Sequence, residues 1–453
     1  MLTTELDSDG IATVTIEMTD RPMNVVDFPL ARALADETAA LGARVDVRGI
    51  ILTSAREAFI AGADLGVMAE ASARRCGFAE AKAKVRVWTD SLRRIETCGK
   101  PVVAAATGTA LGGGLEVMLA CHHRIAAENP KARFGFPEVM LGLLPGAGGT
   151  QRTARLIGIA AALPLLLDGT RLTAAQAHEA GLLDAVVPPG DLLSAARAAL
   201  LAGRVPAANP WDDRRFRPPG LQPGSVAALD HFVLLNGRVH AERGTCDPAP
   251  RAILSAVFEG ARLPIARGLE VELDYFTDLV QGDVAQAMIA TTFFARRAAA
   301  KGGWPAPDTE GPLVQRLTGA RRVGAAALTA TGLGPVFVEN AARSVGLAPM
   351  PPAAGTGHTA PSARLMEAGR ALLALIAAEA LAFSETEGWP AARVDLEAVS
   401  TGFPVWTGGP LRMIDDAGAG SLAALLDSFG AAVPAALIGL AASGARLYPA
   451  QVA

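Results

Sequence analysis

"ALGGGLEVMLACHHRI" (residues 110–125) sets three glycines, a glutamate and two adjacent histidines within sixteen residues. A run of this kind can be a phosphate loop, the start of a helix, or the anion-stabilising corner of an active site. The phosphate-loop reading fails on spacing. Neither "GTALGGG" (108–114) nor the later "PGAGGTQR" (145–152) satisfies GxGxxG or GxxxxGK[ST], and no lysine stands where such a loop needs one. The flanking chain favours the third reading. "KPVVAAATG" (100–108) reads as a buried strand that leads through 109–112 into a helix starting near Gly113. Gly113 has no side chain, so its N–H can approach a carbonyl oxygen closely, and the helix dipole behind it favours negative charge. One donor makes a weak oxyanion site. A second is available from "EAFIAGADLGVM" (57–68), where Gly62 and Ala63 are small enough to expose an N–H.

Further out, the chain alternates strands and helices. "IATVTIEM" (11–18) and "VRGIILTS" (47–54) read as strands, the second buried on both faces, and "PLARALADETAAL" (29–41) has helical periodicity. "HRIAAE" (123–128) is a further strand. This alternation implies an α/β layer with crossover connections. Residues 202–225 are rich in proline, glycine and charge and mark a boundary. The stretch 248–302 is mostly helical with a break near Pro264, and 303–453 is helical with proline-rich connections and a weak internal duplication, 312–352 against 363–410.

Composition narrows the function classes. The chain has 453 residues, 51% hydrophobic and 19% charged, enough for two or three domains with their own cores. A formal charge of −4 gives no support for nucleic-acid or acidic-membrane binding. Only five of the 41 basic residues are lysines, so a phosphate group must be met by arginine or by backbone amides. The four cysteines (76, 98, 121, 246) show no CxxC pairing and no metal-ligand spacing, which fits a reduced, cytoplasmic setting and no bound metal. The N-terminus lacks the basic start and apolar core of a signal peptide. Pro434 and Gly439 interrupt the most apolar stretch, 429–445, which reads as a packed helix and not a membrane span.

"KARFGFPEVMLGLLPGAGGTQRTARLIG" (131–158) adds a second carboxylate, Glu138, after a proline. "AFIAGADL" (58–65), "ALGGGLEVMLACHHRIA" (110–126), "FGFPEVMLGLLPGAGGTQR" (134–152) and "AGLLDAVVP" (180–188), in this order, resemble the crotonase (enoyl-CoA hydratase/isomerase) superfamily. The resemblance implies an acyl-CoA thioester substrate whose carbonyl is polarised by the N–H groups of Ala63 and Gly113. It implies substrate contacts at Ala61, Gly62, Asp64, Leu65, Gly112, Gly114, Pro137 and Gly146. Two glutamates suit hydration of a conjugated thioester, since water must lose a proton while Cα gains one. By the resemblance Glu116 orients and deprotonates water and Glu138 protonates Cα. The expected activity is therefore 2-enoyl-CoA hydratase. A Δ3-Δ2-enoyl-CoA isomerase, or a non-catalytic acyl-CoA-binding or scaffold subunit, is the alternative. His122 and His123 match no catalytic position and read as structural.

The segment 248–302 resembles the linker-helix region of multifunctional β-oxidation enzymes, ending in "FFARRAAAK" (293–301). In those enzymes an NAD-binding dehydrogenase domain comes next. Here "PAPDTEG" (305–311) leads straight into a helix, with no glycine fingerprint and no room for such a domain, so it reads as deleted. Residues 311–453 resemble the helical repeats of the dehydrogenase's C-terminal half. The expected architecture is α/β: a crotonase-like spiral ββα core (1–190), a helical completion and linker region (191–303), and an all-α domain (304–453). No cofactor and no NAD is expected. A homo-oligomer, or a thiolase or dehydrogenase partner, stays open.

Overall fold

The computed structural model describes residues 1–66, 76–243, 245–348 and 363–448. They form two compact units, Met1–Asn236 with Ala249–Gln281, and Gly237–Pro248 with Gly282–Ala453.

The strands of the first unit are β1 (Leu2–Leu6), β2 (Ile11–Ile16), β3 (Gly49–Ser54), β4 (Val102–Ala106), β5 (Ala110–Leu111), β6 (His123–Ala127), β7 (Phe134–Gly135), β8 (Arg171–Leu172) and β9 (Ala185–Val187). A six-stranded sheet runs β1-β2-β3-β4-β6-β9, and a small one runs β5-β7-β8. In the large sheet only β1 pairs antiparallel; every other neighbour is parallel. Parallel neighbours require crossover connections, and helices supply most of them. All residues of β3 and β4 are buried, as expected for strands covered on both faces. Of the nine strands, β2, β3, β4 and β6 are those expected from sequence. The two-residue strands and β9 carry too few residues to show a period, and β1 is almost wholly exposed and shows no apolar alternation.

Helix α1 (Phe28–Gly42) starts where Asp27 accepts the Leu30 N–H at 2.8 Å, with a proline in its first turn, and buries Leu30, Leu34, Thr38 and Leu41 along one stripe. Helix α2 (Phe78–Glu96) buries Val85, Trp88, Leu92 and Ile95 in the same manner. Helix α3 (Gly113–Ala120) is buried throughout, α4 (Gly149–Ile157) comes after the second glycine cluster, and α5 (Ile265–Gln281) lies C-terminal to the proline break.

The linker-helix stretch after Pro264 is not one continuous helix. Gly282 takes an extended backbone (φ −76°, ψ 143°) and ends α5, and Asp283 opens the helix Asp283–Ile289. The next residues, "ATTFFA" (290–295), are π-helical. The chain passes between the two compact units at Gly237, at Ala249 and finally at Gly282, all inside the 191–303 region.

All regular elements of the second unit's described residues are helical. Its core surrounds Ala363–Glu387, packed with apolar residues of Pro312–Ala330 and Pro335–Ser344. A Cβ at Gly369 would overlap the Ala341 carbonyl, so the close approach of these helices needs glycine there. A long helix followed by a ten-residue helix occurs twice, Pro312–Ala330 with Pro335–Ser344 and Ala363–Glu387 with Ala391–Ser400. The turn after the first pair lies in part outside the described residues. The helix within 429–445 spans only Ala435–Ser443 with Pro434 at its N-cap, and no described helix is long and apolar enough to cross a membrane.

Candidate active site

The site grows from the end of β4. The chain turns through 107–112, and Gly112 takes φ +51°, ψ −124°, a conformation costly for any residue with a Cβ. No side chain caps α3, so the orphan N–H groups of its first turn stay available. A second loop is clamped beside them. Ile60 N–H donates to the Thr109 carbonyl and Leu111 N–H to the Ile60 carbonyl, both at 3.2 Å. Val26 N–H donates to Gly62 at 2.8 Å, and Asp64 N–H donates back to Val26 at 3.0 Å. These bonds turn the intervening Ala63 N–H away from Val26. The Ala63 nitrogen lies 3.8 Å from where a Cβ on Gly113 would stand. Neither the Ala63 nor the Gly113 N–H has an acceptor among the described residues.

One turn along α3, Glu116 is only 3% exposed, and its Oε1 accepts the Ala147 and Gly149 N–H groups, each at 2.7 Å. Glu138 sits on the 3-10 turn Pro137–Leu141, with Pro137 in the first position and Gly142 closing it in the left-handed region. Its carboxyl packs so closely on Gly112 that a Cβ there would overlap Glu138 Oε1. Glu138 Oε2 is buried with no hydrogen-bond partner among the described residues.

Ala63, Gly113, Glu116 and Glu138 line one cavity, together with Gly146 and Ala147. Its apolar wall is Val26, Ala31, Trp88, Leu92 and Phe276. Trp88 stacks on Phe28 at 4.6 Å between ring centroids and meets the edge of Phe276 at 6.4 Å. Its narrow interior has room for about one water molecule.

Of the other residues chosen from sequence, only Gly146 lines this cavity; its Cα packs on the Phe276 ring. Ala61 donates its N–H to Asn24, and Asp64 is paired with Arg21 and accepts the Gly66 N–H. Gly114 faces the Ile60 carbonyl, Gly112 backs the Glu138 carboxyl, and Pro137 starts the turn that carries Glu138. Gly62 and Leu65 lie in the Ala63 loop and do not line the cavity. His122 accepts the Val102 N–H at Nδ1 and meets the Glu96 carbonyl at Nε2, and His123 lies 3.4 Å from Asp184.

Burial pushes the proton affinity of both carboxyls up, but the two differ. For Glu116 the Ala147 and Gly149 amides oppose the shift. Glu138 is raised well above the ordinary range by burial, then by the charge of Glu116. When two carboxyls share a site, one holds the proton; the amide bonds make Glu116 the carboxylate and Glu138 the acid. In the unfolded chain Glu138 ionises near about pH 4.3. Above that pH the native state binds more protons than the unfolded one, so stability falls as pH rises toward the raised value. Glu138→Gln removes this component. Urea unfolding between about pH 5 and pH 8 is expected to show a smaller decline for the variant than for the wild type.

Two further buried carboxylates carry no mark in the sequence motifs. Glu96, at the end of α2, and Glu272, in α5, are both 0% exposed. Each falls on the apolar stripe of its helix, beside Leu92 and Ile95 or Leu269, Leu273 and Phe276, which is the signal that could have found them.

Residues 7–204 match the family model described as Enoyl-CoA hydratase/isomerase. This segment is a crotonase-family domain. Among similar proteins, the fatty acid oxidation complex subunit alpha of Shewanella halifaxensis (strain HAW-EB4) is 36% identical over 288 residues, 63% of this chain. The peroxisomal fatty acid beta-oxidation multifunctional protein AIM1 of Arabidopsis thaliana is 35% identical over 308 residues, 66% of this chain. The match spans 40% of the length of each relative. The solved enoyl-CoA hydratase from Bacillus anthracis is similar at 26% identity and TM-score 0.41, covering 67% of this chain and 96% of that one. The crotonase domain supplies β2 to β9 with Ala63, Gly113, Glu116 and Glu138. Trp88 and Leu92 of the cavity wall also come from it, and Phe276 comes from α5, beyond the matched segment.

Proposed function

We propose that the crotonase-domain site hydrates trans-2-enoyl-CoA thioesters without a redox cofactor. The observation that carries this reading is the pair of carboxyls on one cavity, Glu116 held by two amides and Glu138 with an unpartnered, buried Oε2. The thioester oxygen sits between the Ala63 and Gly113 N–H groups, where charge builds as the enolate forms. Glu116 takes a proton from water as the water oxygen bonds to Cβ, and the double-bond electrons move toward the carbonyl. Glu138 gives its proton to Cα. A proton then returns from Glu116 to Glu138, which restores both groups. The apolar wall of Trp88, Leu92 and Phe276 excludes bulk water, which strengthens each of these interactions.

A panel of 2-enoyl-CoA and 3-enoyl-CoA substrates tests the proposal, with NAD absent. Loss of the conjugated-thioester absorbance from 2-enoyl substrates is the expected result. Turnover of 3-enoyl substrates alone would make the protein an isomerase, in which one carboxyl shuttles a single proton. Turnover of neither, with acyl-CoA binding retained, would leave it a non-catalytic subunit. A calorimetric titration with NAD is expected to give no saturable heat.

A further inference from the structure

The turn that holds Glu116 is itself held from its other side. Its five successive amides divide between two carboxylates: Ala147 and Gly149 donate to Glu116, and Gly148, Thr150 and Gln151 donate to Glu272. Gly148 makes the division possible. At φ +103°, ψ 8° it takes a left-handed turn that a residue with a Cβ adopts only under strain. The Thr150 hydroxyl adds a bond to Glu272 Oε2 at 2.5 Å. Glu272 does not line the cavity, so it cannot touch substrate there.

We infer that Glu272 is a positioning residue for Glu116: from α5 it fixes the 147–151 turn so that the Ala147 and Gly149 amides meet Glu116 Oε1. A buried carboxyl, here with its pKa pushed up to about 8 by burial and then by the charge of Glu116, is costly unless it is bonded, and among the described residues the bonds of Glu272 all come from this turn. Without it the Gly148 and Thr150 amides lose their acceptor in a dry interior. The turn would then twist to offer them to Glu116, displacing the pair that orients its base oxygen. The kinetic part of this inference rests on the hydratase reading; the geometric part does not.

Glu272→Gln keeps the shape and replaces an acceptor oxygen by a donor. In its crystal structure the two 2.7 Å bonds to Glu116 are expected to lengthen beyond about 3.5 Å. The kcat for hydration is expected to fall about 10–100-fold with KM within about twofold, since the thioester donors lie on other loops. Intact 2.7 Å bonds in the variant would overturn the inference, whatever the kinetics. So would a loss of activity that only tracks the fraction folded. If Glu272→Gln does not fold, Thr150→Val removes one donor at constant shape, and a fall in kcat of about threefold with altered Glu116 bonds is expected; no change in either overturns the inference. If the wild type hydrates nothing, the function reading fails, and the bond lengths still decide the role of Glu272.

Discussion

Glu138→Gln is expected to lower kcat for 2-enoyl-CoA hydration by about 10²–10⁴-fold with KM nearly unchanged. The glutamine fills the same space against Gly112 and still faces Glu116, so the cavity keeps its form. What it lacks is a transferable proton. The same substitution at Glu116 removes the acceptor for the water proton, and a loss of similar size is expected. The pH profile tests the two roles together. The proposed hydration needs Glu116 ionised and Glu138 protonated, so its rate is expected to fall in acid as Glu116 gains a proton and in alkali as Glu138 loses one. Burial raises both proton affinities, which places the bell above the range of ordinary carboxylates. The two limbs belong to the pair and not to either residue singly. Steady-state kinetics over the pH range checks this; wild-type kcat in Glu138→Gln would remove that residue from the mechanism.

Glu96→Ala is expected to cost about 3–5 kcal/mol of unfolding free energy. Arg152, fully buried, donates from Nε and one terminal nitrogen to Glu96 at 3.0 and 2.9 Å. Asn209 and Trp211 donate to the same carboxylate at 3.2 and 3.1 Å. Removing Glu96 therefore strands a buried guanidinium and two further donors. Burial alone would raise the proton affinity of Glu96, but Arg152 and then Arg93 bring it below the ordinary range. The stabilisation is accordingly complete above the unfolded carboxylate value and is lost as pH falls through about 4 and below. Denaturant titration measures it, and a loss under about 1 kcal/mol would refute the assignment. The second terminal nitrogen of Arg152 donates to the Ala147 carbonyl at 2.6 Å, so this pair also steadies the turn that grips Glu116.

The parts of the site that were legible in the sequence are those built by short stretches of chain. Gly113 and Glu116 are one helical turn apart, and a glycine run leading out of an apolar strand exposes both roles at once. Ala63 was legible only as one of two small residues in a loop, because the bridges from Val26 and Ile60 that hold that loop depend on tertiary pairing, and the role of Glu138 came only from the ordered motifs. The cavity wall was not legible. Trp88 and Phe276 lie on amphipathic helices where an aromatic facing a ligand and one facing the core give the same periodicity. Glu96 and Glu272 break that periodicity, and a lone carboxylate on an apolar stripe signals a buried group with bonding partners elsewhere in the fold. The boundary at Gly282 was hidden by the helical character of both sides.

The packing of Gly146 on the Phe276 ring has a consequence for the order in which the molecule is made. During synthesis the amino-terminal part emerges first, at roughly 5–20 residues per second. Both glutamates and the Ala63 and Gly113 amides leave the ribosome well before Phe276 exists, so for some seconds the nascent domain carries them with one wall of the cavity open. The wall closes only through a contact spanning more than a quarter of the chain, and such distant contacts form slowly. The growing polypeptide thus gains its enclosed cavity as a late event of its own biosynthesis.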